Sequence, residues 1–305
     1  MFNGLSRLWN RSSLSREKMW FLQDASSIEA ASLEPAVKKV LHEIRTHGIG
    51  IIKNNISAEL CDEANRDFRD YCRQSPESER FRDEHSLYER LACLHMVSEA
   101  VRHVGFNETT LKVVEAAFGR RAVIVGSLYF DKGSTQSIHR DTPAFFTNPL
   151  NHYFGVWNAL EDVVPGSGPL IYYQKGHTAL SDTELFGNPS VNARNYFEKV
   201  VQACKAKNLK VVEYYAKKGD TLIWHPEMPH GGASILTAGQ SRRSIVFHYI
   251  PEGVPIHAPD VFFGVRGRIR KTQNYRTVDF GVRPVIDQGR PRFFHNRAEG
   301  NFDEA

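Results

Sequence analysis

The pattern of apolar and polar residues changes its period at about residue 121. Before that point apolar residues recur at helical spacing, and from Arg121 onward they alternate with polar residues or form short runs. A helical period indicates amphipathic helices, whereas alternation indicates strands with one buried face. The sequence therefore predicts mostly helical support in residues 21–120 and a β-rich core in residues 121–252.

Capping residues set the bounds of the predicted helices. A serine or asparagine at the N-cap and a glycine after the last turn are typical helix ends. We therefore predict helices from Ser32 to about His47, from Ser57 to about Arg73, and from Asn107 to Gly119. The apolar residues 50–52 are predicted as a strand, and the polar, turn-rich residues 74–95 as a segment that overhangs a site.

Six further strands are predicted from alternation and from the turn residues that flank them. They span residues 122–130, 153–160, 169–173, 210–215, 220–224 and 242–250. Residues 181–207 are predicted as a helical or loop insertion. Many short strands with few helices between them favour antiparallel sheets, so the predicted fold class is mainly β with flanking helices, a double-sheet jelly roll.

Composition narrows the class of protein. A chain of 305 residues with 24% charged and 41% hydrophobic residues is expected to form one soluble domain, residues 1–305. The net charge of +4 is too small to indicate nucleic-acid binding. The four cysteines form no CxxC motif, and no membrane span or signal peptide is evident, so we predict a cytoplasmic protein without disulfides.

Both ends of the chain are basic. In the N-terminal arm, residues 1–20, apolar residues recur at helical spacing among arginines, which is compatible with peripheral membrane contact or a transit segment. An arm packed on its own domain is the favoured interpretation. The C-terminal extension, residues 253–305, carries a run of arginines that would suit an anionic group, although a solvated face is the more ordinary explanation.

Two stretches carry residue types that commonly act as metal ligands. His139 and Asp141 lie two apart on an extended segment, so their side chains point to the same side. On its own this pair would most often be a solvated surface pair. The stretch 224–232 supplies a second imidazole, His230 or the competing His225, and we favour His230 because two glycines follow it. Two histidines and one carboxylate form the ligand set of non-haem iron(II) oxygenases.

Arg242 opens an apolar strand. A buried guanidinium is costly unless it meets an anion, and its planar fork matches a carboxylate in a two-point contact. A small-molecule carboxylate and a protein carboxylate are both candidate partners. Arg243 points the other way on the strand and is expected to be solvated.

The order of these motifs resembles the phytanoyl-CoA dioxygenase (PhyH) family of Fe(II)/2-oxoglutarate oxygenases. The resemblance covers about residues 45–252 and depends on the following motifs taken together: His139-x-Asp141, Trp157, Gly168-Pro169-Leu170, Gly176-His177, Gly219-Asp220, His230-Gly231-Gly232 and Arg242.

The resemblance implies a double-stranded β-helix, a cupin-like jelly roll, in which His139, Asp141 and His230 hold iron. It also implies that Arg242 pairs with the distal carboxylate of 2-oxoglutarate and that Gln136 and Trp157 line the cosubstrate pocket. A small hydroxyl residue common after the distal histidine of the family is replaced here by Gly232, and Ser234 or Thr135 is the expected substitute.

The activity implied by the resemblance is a dioxygenase reaction that consumes O2 and 2-oxoglutarate. It would hydroxylate a small organic, lipid-linked or sugar-linked substrate, an anionic one included, and release succinate and CO2. Two alternatives differ in chemistry. A cupin-type metal-binding isomerase or lyase would not use 2-oxoglutarate, and a catalytically silent jelly-roll binding module would not turn over.

Overall fold

The computed structural model describes residues 15, 17–186, 188, 190–257, 262–263, 276–281 and 283–295. Most of the N-terminal arm and the arginines between Arg266 and Lys271 lie outside these ranges. The predictions of a packed arm and of an anion-binding C-terminal extension therefore lie largely outside the described residues. Within them, the helices are α1 (Trp20–Gln23), α2 (Ala25–Ala30), α3 (Pro35–His47), α4 (Ala58–Gln74), α5 (Glu99–Gly105), α6 (Glu108–Phe118), α7 (Asp182–Leu185) and α8 (Tyr196–Ala206).

The capping signals locate most helix ends. The Ser57 and Asn107 side chains accept hydrogen bonds from backbone amides in the first turns of α4 and α6, as predicted. Gly48 ends α3 in the left-handed region, with φ of 84°. The predicted start of α3 at Ser32 was wrong because the helix begins at Pro35. Proline suits the first helical position and disfavours helical geometry in the residue before it.

The strands are β1 (Ile49–Ile52), β2 (Arg90–Ala92), β3 (Ala122–Phe130), β4 (Phe146–Thr147), β5 (Phe154–Ala159), β6 (Leu170–Tyr173), β7 (Val211–Tyr214), β8 (Thr221–Trp224), β9 (His230–Gly232), β10 (Ser244–Pro251), β11 (Ile256–His257), β12 (Thr277–Asp279), β13 (Pro284–Ile286) and β14 (Arg292–Phe294). The six strands predicted after residue 121 are all present. Residues 74–95, predicted as a turn-rich segment, contain a 3-10 helix (Pro76–Phe81) and turns, and they also contribute β2 to the large sheet.

Two sheets face each other. The large sheet has the order β1-β8-β5-β10-β3-β13-β12, and β2 pairs with β3 and with β14. The small sheet has the order β7-β6-β9. Apolar side chains from both sheets meet in one cluster, which includes Trp157 and Val246 of the large sheet and Tyr172 and Tyr214 of the small one. The two sheets therefore enclose an inner space and form a jelly roll, as predicted, although they do not close into a barrel.

Helices α1 to α6 cover the other face of the large sheet. Alternate residues of the strands point to this side, where Tyr129, Phe154 and Phe247 pack with Phe68 of α4 and Ile44 of α3. This is the main hydrophobic core, and it fixes the large sheet as the rigid wall behind the inner space. Among the described residues, no helix combines the length and the apolar character needed to cross a membrane.

Candidate metal centre

Three side chains converge at one end of the inner space. The His139 amide donates to the His230 carbonyl (2.8 Å), and the His230 amide donates to the His139 carbonyl (2.9 Å), so the two residues form a cross-strand pair. Asp141 follows two residues after His139. Its Oδ1 lies 3.6 Å from His139 Nε2, and its Oδ2 lies 3.6 Å from His230 Nε2. All the candidate ligand atoms lie within 4.8 Å of one another.

Backbone carbonyls orient both imidazoles. His139 Nδ1 lies 2.9 Å from the Ser137 carbonyl, and His230 Nδ1 lies 2.9 Å from the Met228 carbonyl. Because a carbonyl only accepts, each Nδ1 carries the proton and each Nε2 keeps its lone pair. Burial and the neighbouring His230 lower the pKa of His139 to about 4, which keeps this imidazole neutral. Both Nε2 atoms are thus prepared as metal ligands.

Asp141 is held as an anion. Its Oδ2 accepts hydrogen bonds from Trp224 Nε1 (3.0 Å) and His248 Nε2 (3.1 Å). Burial by itself would raise the pKa of this carboxyl group, but His230, His248 and the hydrogen bond from His248 outweigh that effect and bring the pKa below its ordinary value. The carboxylate therefore supplies the negative charge that a divalent cation requires.

The competing histidine lies elsewhere. His225 accepts a hydrogen bond from the Glu227 amide at Nδ1 (3.0 Å), and its ring packs against His177 with ring centroids 4.9 Å apart. Among the described residues, the group with metal-ligand spacing consists of His139, Asp141 and His230. The geometry favours His230 over His225 as the second imidazole.

Arg242 lies inside the same space. Its side chain is buried, its Nε donates to the Gly168 carbonyl (3.1 Å), and its Nη1 donates to the Ser244 hydroxyl. The guanidinium lies over Phe130 and Trp157, 5.5 and 5.8 Å from the ring centroids. It forms no ion pair with any carboxylate of the described residues. Burial without such a partner lowers the pKa of Arg242 to about 10.

The neighbouring Arg243 has the opposite environment. It pairs with Asp131 (3.0 Å) and Glu161 (3.1 Å), and its side chain is only 26% exposed. The expectation of a solvated Arg243 was therefore wrong. The nearby carboxylates are occupied by Arg243, which leaves Arg242 available for an external anion.

The other residues predicted to line the cosubstrate pocket differ in burial and in their contacts. Trp157 is buried on β5 against Arg242. Gln136 is half-buried, and its carbonyl accepts the Gly232 amide (2.9 Å) beside His230. A Cβ on Gly231 would approach that carbonyl to 2.6 Å, so glycine permits the two segments to pack together. Thr135 lies in the same half-buried segment, whereas Ser234 is exposed in the irregular segment after β9 and has no contact with this group among the described hydrogen bonds.

Several residues near the centre were missed by the sequence reasoning. Ser244 lies two residues after Arg242, on the same side of the strand, and this Arg-x-Ser spacing was an available signal. Trp224 and His248 contact Asp141 through pairings between strands that are distant in sequence, which single residues do not reveal. Arg140, between the two predicted ligands, is buried and pairs with Asp182 (3.0 Å).

The insertion of residues 181–207 lies next to the centre. Phe197 of α8 packs its ring edge-on against His139, with ring centroids 6.1 Å apart. The adjacent Tyr196 hydroxyl donates to Asp182 (2.6 Å), the partner of Arg140. The insertion is thus anchored to the segment that carries two of the candidate ligands.

The donor set fits a transition metal. Two imidazoles and one carboxylate on one side suit a first-row divalent ion and leave the remaining coordination positions to other molecules. Separations of 3.6 Å between the ligand atoms leave room for an ion bonded at about 2.0–2.2 Å to each of them. A jelly roll with this facial set has the architecture of the non-haem metal oxygenases.

The comparisons with known proteins agree with this class. The chain belongs to the phytanoyl-CoA dioxygenase (PhyH) family, whose model matches residues 44–244. It is 23% identical over 171 residues to phytanoyl-CoA dioxygenase domain-containing protein 1 of Bos taurus, covering 55% of this chain and 58% of that protein. The rat protein of the same name is 24% identical over 170 residues, covering 54% of this chain and 58% of that protein. The match thus spans little more than half the length of these relatives.

Solved structures share the fold at low identity. The non-heme alpha ketoglutarate dependent epimerase SnoN from nogalamycin biosynthesis has a TM-score of 0.57 at 16% identity, over 86% of this chain and 96% of that one. EctD from S. alaskensis, solved with 2-oxoglutarate and 5-hydroxyectoine, has a TM-score of 0.55 at 14% identity, over 74% and 82%. The carbocyclase SnoK has a TM-score of 0.54 at 16% identity, over 76% and 88%. The predicted family and jelly roll are confirmed.

Proposed function

We propose that this chain is a non-haem Fe(II)/2-oxoglutarate-dependent dioxygenase that hydroxylates a small organic substrate. The observation that carries the proposal is Arg242, a buried guanidinium without an ion-pair partner among the described carboxylates, in the same inner space as the three candidate ligands. A metal site alone would also suit a cupin-type isomerase or lyase. A buried guanidinium without an ion-pair partner among the described residues implies a second requirement, a bound ligand that carries a carboxylate.

His139, Asp141 and His230 would hold the iron. Their Nε2 atoms and carboxylate are oriented before any metal arrives, since each is fixed by a hydrogen bond to its other polar atom. When bound, the iron and 2-oxoglutarate together supply the oxidising power by activating dioxygen, with succinate and CO2 as coproducts. The chain supplies position, charge and exclusion of water.

Arg242 and Ser244 would bind the distal carboxylate of 2-oxoglutarate. The guanidinium offers a two-point contact, and the Ser244 hydroxyl, which accepts from Arg242 Nη1, keeps its own proton to donate. Phe130 and Trp157 flank the guanidinium and would pack against the methylene groups of the cosubstrate. Gln136 would line the pocket at the His230 end.

The structural neighbours support iron and 2-oxoglutarate as the proposed cofactors, and their names cover more than one type of reaction. SnoN has been solved in a complex with Fe3+, alpha ketoglutarate and nogalamycin RO, and EctD with 2-oxoglutarate. Because the neighbours include an epimerase and a carbocyclase, hydroxylation is one of several reactions found on this architecture. The proposal includes a cytoplasmic location, which is supported by four buried free cysteines.

A spectroscopic titration tests the proposal. Anaerobic protein loaded with Fe(II) should develop a visible charge-transfer band when 2-oxoglutarate is added, and should release succinate slowly when oxygen is admitted. Asp141→Ala should lose iron and the band while keeping its circular dichroism spectrum and its melting temperature within a few degrees. Iron retention without a band would indicate the cupin-type alternative, and a band without succinate would indicate a silent binding module.

A further inference from the structure

Three neighbouring strands align a row of residues beneath the metal centre. In the register of the large sheet, Trp224 of β8 lies opposite Gly155 of β5, and Gly155 lies opposite His248 of β10. Residues directly opposite one another in a sheet share a face. Trp224 and His248 are both buried on the inner face, beside Asp141.

Gly155 lets the two outer side chains of the row approach one another. A Cβ at this position would overlap the Trp224 indole, so the indole lies over the glycine backbone and extends across β5. The Trp224 and His248 rings reach a centroid separation of 6.4 Å, although their strands are not neighbours. The absence of a side chain in the middle of the row is therefore what brings two N–H donors to one place.

Both donors end on the same oxygen. Trp224 Nε1 and His248 Nε2 lie 3.0 and 3.1 Å from Asp141 Oδ2, which also lies 3.6 Å from His230 Nε2. Oδ1 lies 3.6 Å from His139 Nε2 and accepts no hydrogen bond from the described residues. Each donor ring is held in turn by a neighbour. Trp224 packs on His230 at 4.2 Å between centroids, and His248 stacks on Phe145 at 3.8 Å with planes 13° apart.

We propose that Trp224 and His248 are positioning residues that occupy Oδ2 of Asp141 with two hydrogen bonds and leave Oδ1 as its single metal-binding oxygen. The inference rests on the proposed function for the identity of the metal. A carboxylate with both oxygens free can rotate, or bind through both and take up a further coordination position. Hydrogen bonds to ligands commonly contribute about 10–100-fold to metal affinity.

Metal affinity can be measured without a substrate. Full-length protein stripped with EDTA is titrated with Mn²⁺, and the free ion is followed by electron paramagnetic resonance. Trp224→Phe keeps a ring against His230 but removes the N–H, and His248→Phe keeps a ring against Phe145 but removes the N–H. Each variant should bind Mn²⁺ about 10–100-fold more weakly than the wild type. His248→Gln, whose amide can donate, should recover most of the affinity.

Trp20→Phe is the matched control. The Trp20 indole donates to the Ala116 carbonyl (2.8 Å) among the helices, outside the metal centre. This variant should lower the melting temperature without changing Mn²⁺ affinity, so a purely structural effect is distinguishable. If Trp224→Phe fails to fold, the comparison of His248→Phe with His248→Gln decides the question.

The outcomes separate this inference from the proposed function. Wild-type affinity for Mn²⁺ with unchanged affinity in folded Trp224→Phe and His248→Phe would overturn the positioning role and leave the metal centre intact. Equal losses in His248→Phe and His248→Gln would also overturn it, because the hydrogen bond would then be irrelevant. A wild-type protein that binds no Mn²⁺ would overturn the metal centre and this inference together.

Discussion

Arg242 and Arg243 are adjacent in the chain but have different electrostatic surroundings. Arg243 lies between Asp131 and Glu161, which neutralise it, whereas Arg242 is buried with a carbonyl and a hydroxyl as its hydrogen-bond partners. A buried cation without a counter-charge is costly to the fold. Its retention is explained if the carboxylate of a bound ligand provides the missing charge.

Arg242→Ala should weaken 2-oxoglutarate binding by about 2–5 kcal/mol, the usual cost of removing one partner of a buried charge pair. The affinity is measured by anaerobic titration of the Fe(II) protein with 2-oxoglutarate, using the charge-transfer band. Arg243→Ala is the control, and should reduce stability while leaving oxoacid affinity within about twofold. Equal oxoacid affinity in Arg242→Ala and the wild type would show that the anchor is elsewhere.

Residue-level reasoning singled out neighbouring side chains where their relative direction depends on local spacing. His139 and Asp141 could be paired because alternation along an extended segment fixes their relative direction, and Arg242 stood out as a charge that opens an apolar strand. Trp224, His248 and Gly155 could not be found in this way, because their arrangement depends on the register of three strands. Ser234 was chosen by analogy to a family position, and the exposed irregular segment after β9 gives it no contact with the centre among the described hydrogen bonds.

At the scale of elements, the insertion of residues 181–207 is joined to the metal-binding segment by one carboxylate. Asp182 of α7 accepts hydrogen bonds from Arg140 (3.0 Å), Tyr196 of α8 (2.6 Å) and Thr142 (2.5 Å). Arg140 and Asp182 are both fully buried, and the ion pair with Asp182 keeps the pKa of Arg140 above its ordinary value despite burial. The position of α8, and of Phe197 against His139, thus depends on Asp182.

Asp182→Ala should destabilise the protein by about 3–5 kcal/mol, because it leaves the Arg140 charge buried without its partner. Glu184→Ala is a matched control on the same helix. The exposed Glu184 side chain accepts a hydrogen bond from the Ser181 backbone amide in the capping box, and loss of one such bond should cost about 1 kcal/mol. Urea denaturation with circular dichroism measures both values. A loss of similar size in the two variants would contradict the assigned role of the buried ion pair.

The bounds of elements were predictable where an element carries its own end signals. Helices α4 and α6 have capping side chains, and strands β3 and β10 are long enough to show alternation. Strands of two or three residues, such as β2 and β9, are too short for a periodic pattern. They form because neighbouring strands offer unpaired backbone groups, which only the assembled sheet supplies.

At the scale of the whole molecule, the change of period at residue 121 was enough to predict a helical layer and a jelly roll. The order of strands was not predictable, since it depends on crossings between the two sheets. One consequence of the assembled fold is that several histidines are buried, and burial favours their neutral form. His95 lies in a short 3-10 helix (Leu94–Met96), and its Nδ1 is hydrogen-bonded to the Ser127 hydroxyl (2.8 Å). His177 Nε2 donates to the Arg45 carbonyl (3.0 Å).

These buried histidines should make stability depend on pH. Burial lowers the pKa of His95 and of His177 from 6.5 to about 4. Above pH 6.5 both groups are neutral in the folded and unfolded chains, and the stability is fully present. As the pH falls from about 6.5 to about 4, the unfolded chain binds protons that the folded chain does not, so stability is lost, by roughly 3 kcal/mol for each group.

Glu227 should act in the opposite direction over part of this range. Burial and the charge of Asp182 raise its pKa from 4.5 to about 7. The folded chain therefore holds a proton that the unfolded chain has released, and the stability from this group is lost as the pH rises from about 4.5 to about 7. At least three histidines with a lowered pKa, His95, His177 and, in the metal-free protein, His139, oppose this one glutamate, so the net stability should still rise with pH up to about 6.5. Urea denaturation of EDTA-treated protein between about pH 4.5 and 7.5 measures this slope.

His95→Phe should flatten the slope and Glu227→Gln should steepen it, whereas replacement of the exposed His103 by Phe should leave it unchanged. A flat profile in the wild type, or identical slopes in all four proteins, would show that the enclosed histidines do not control acid stability.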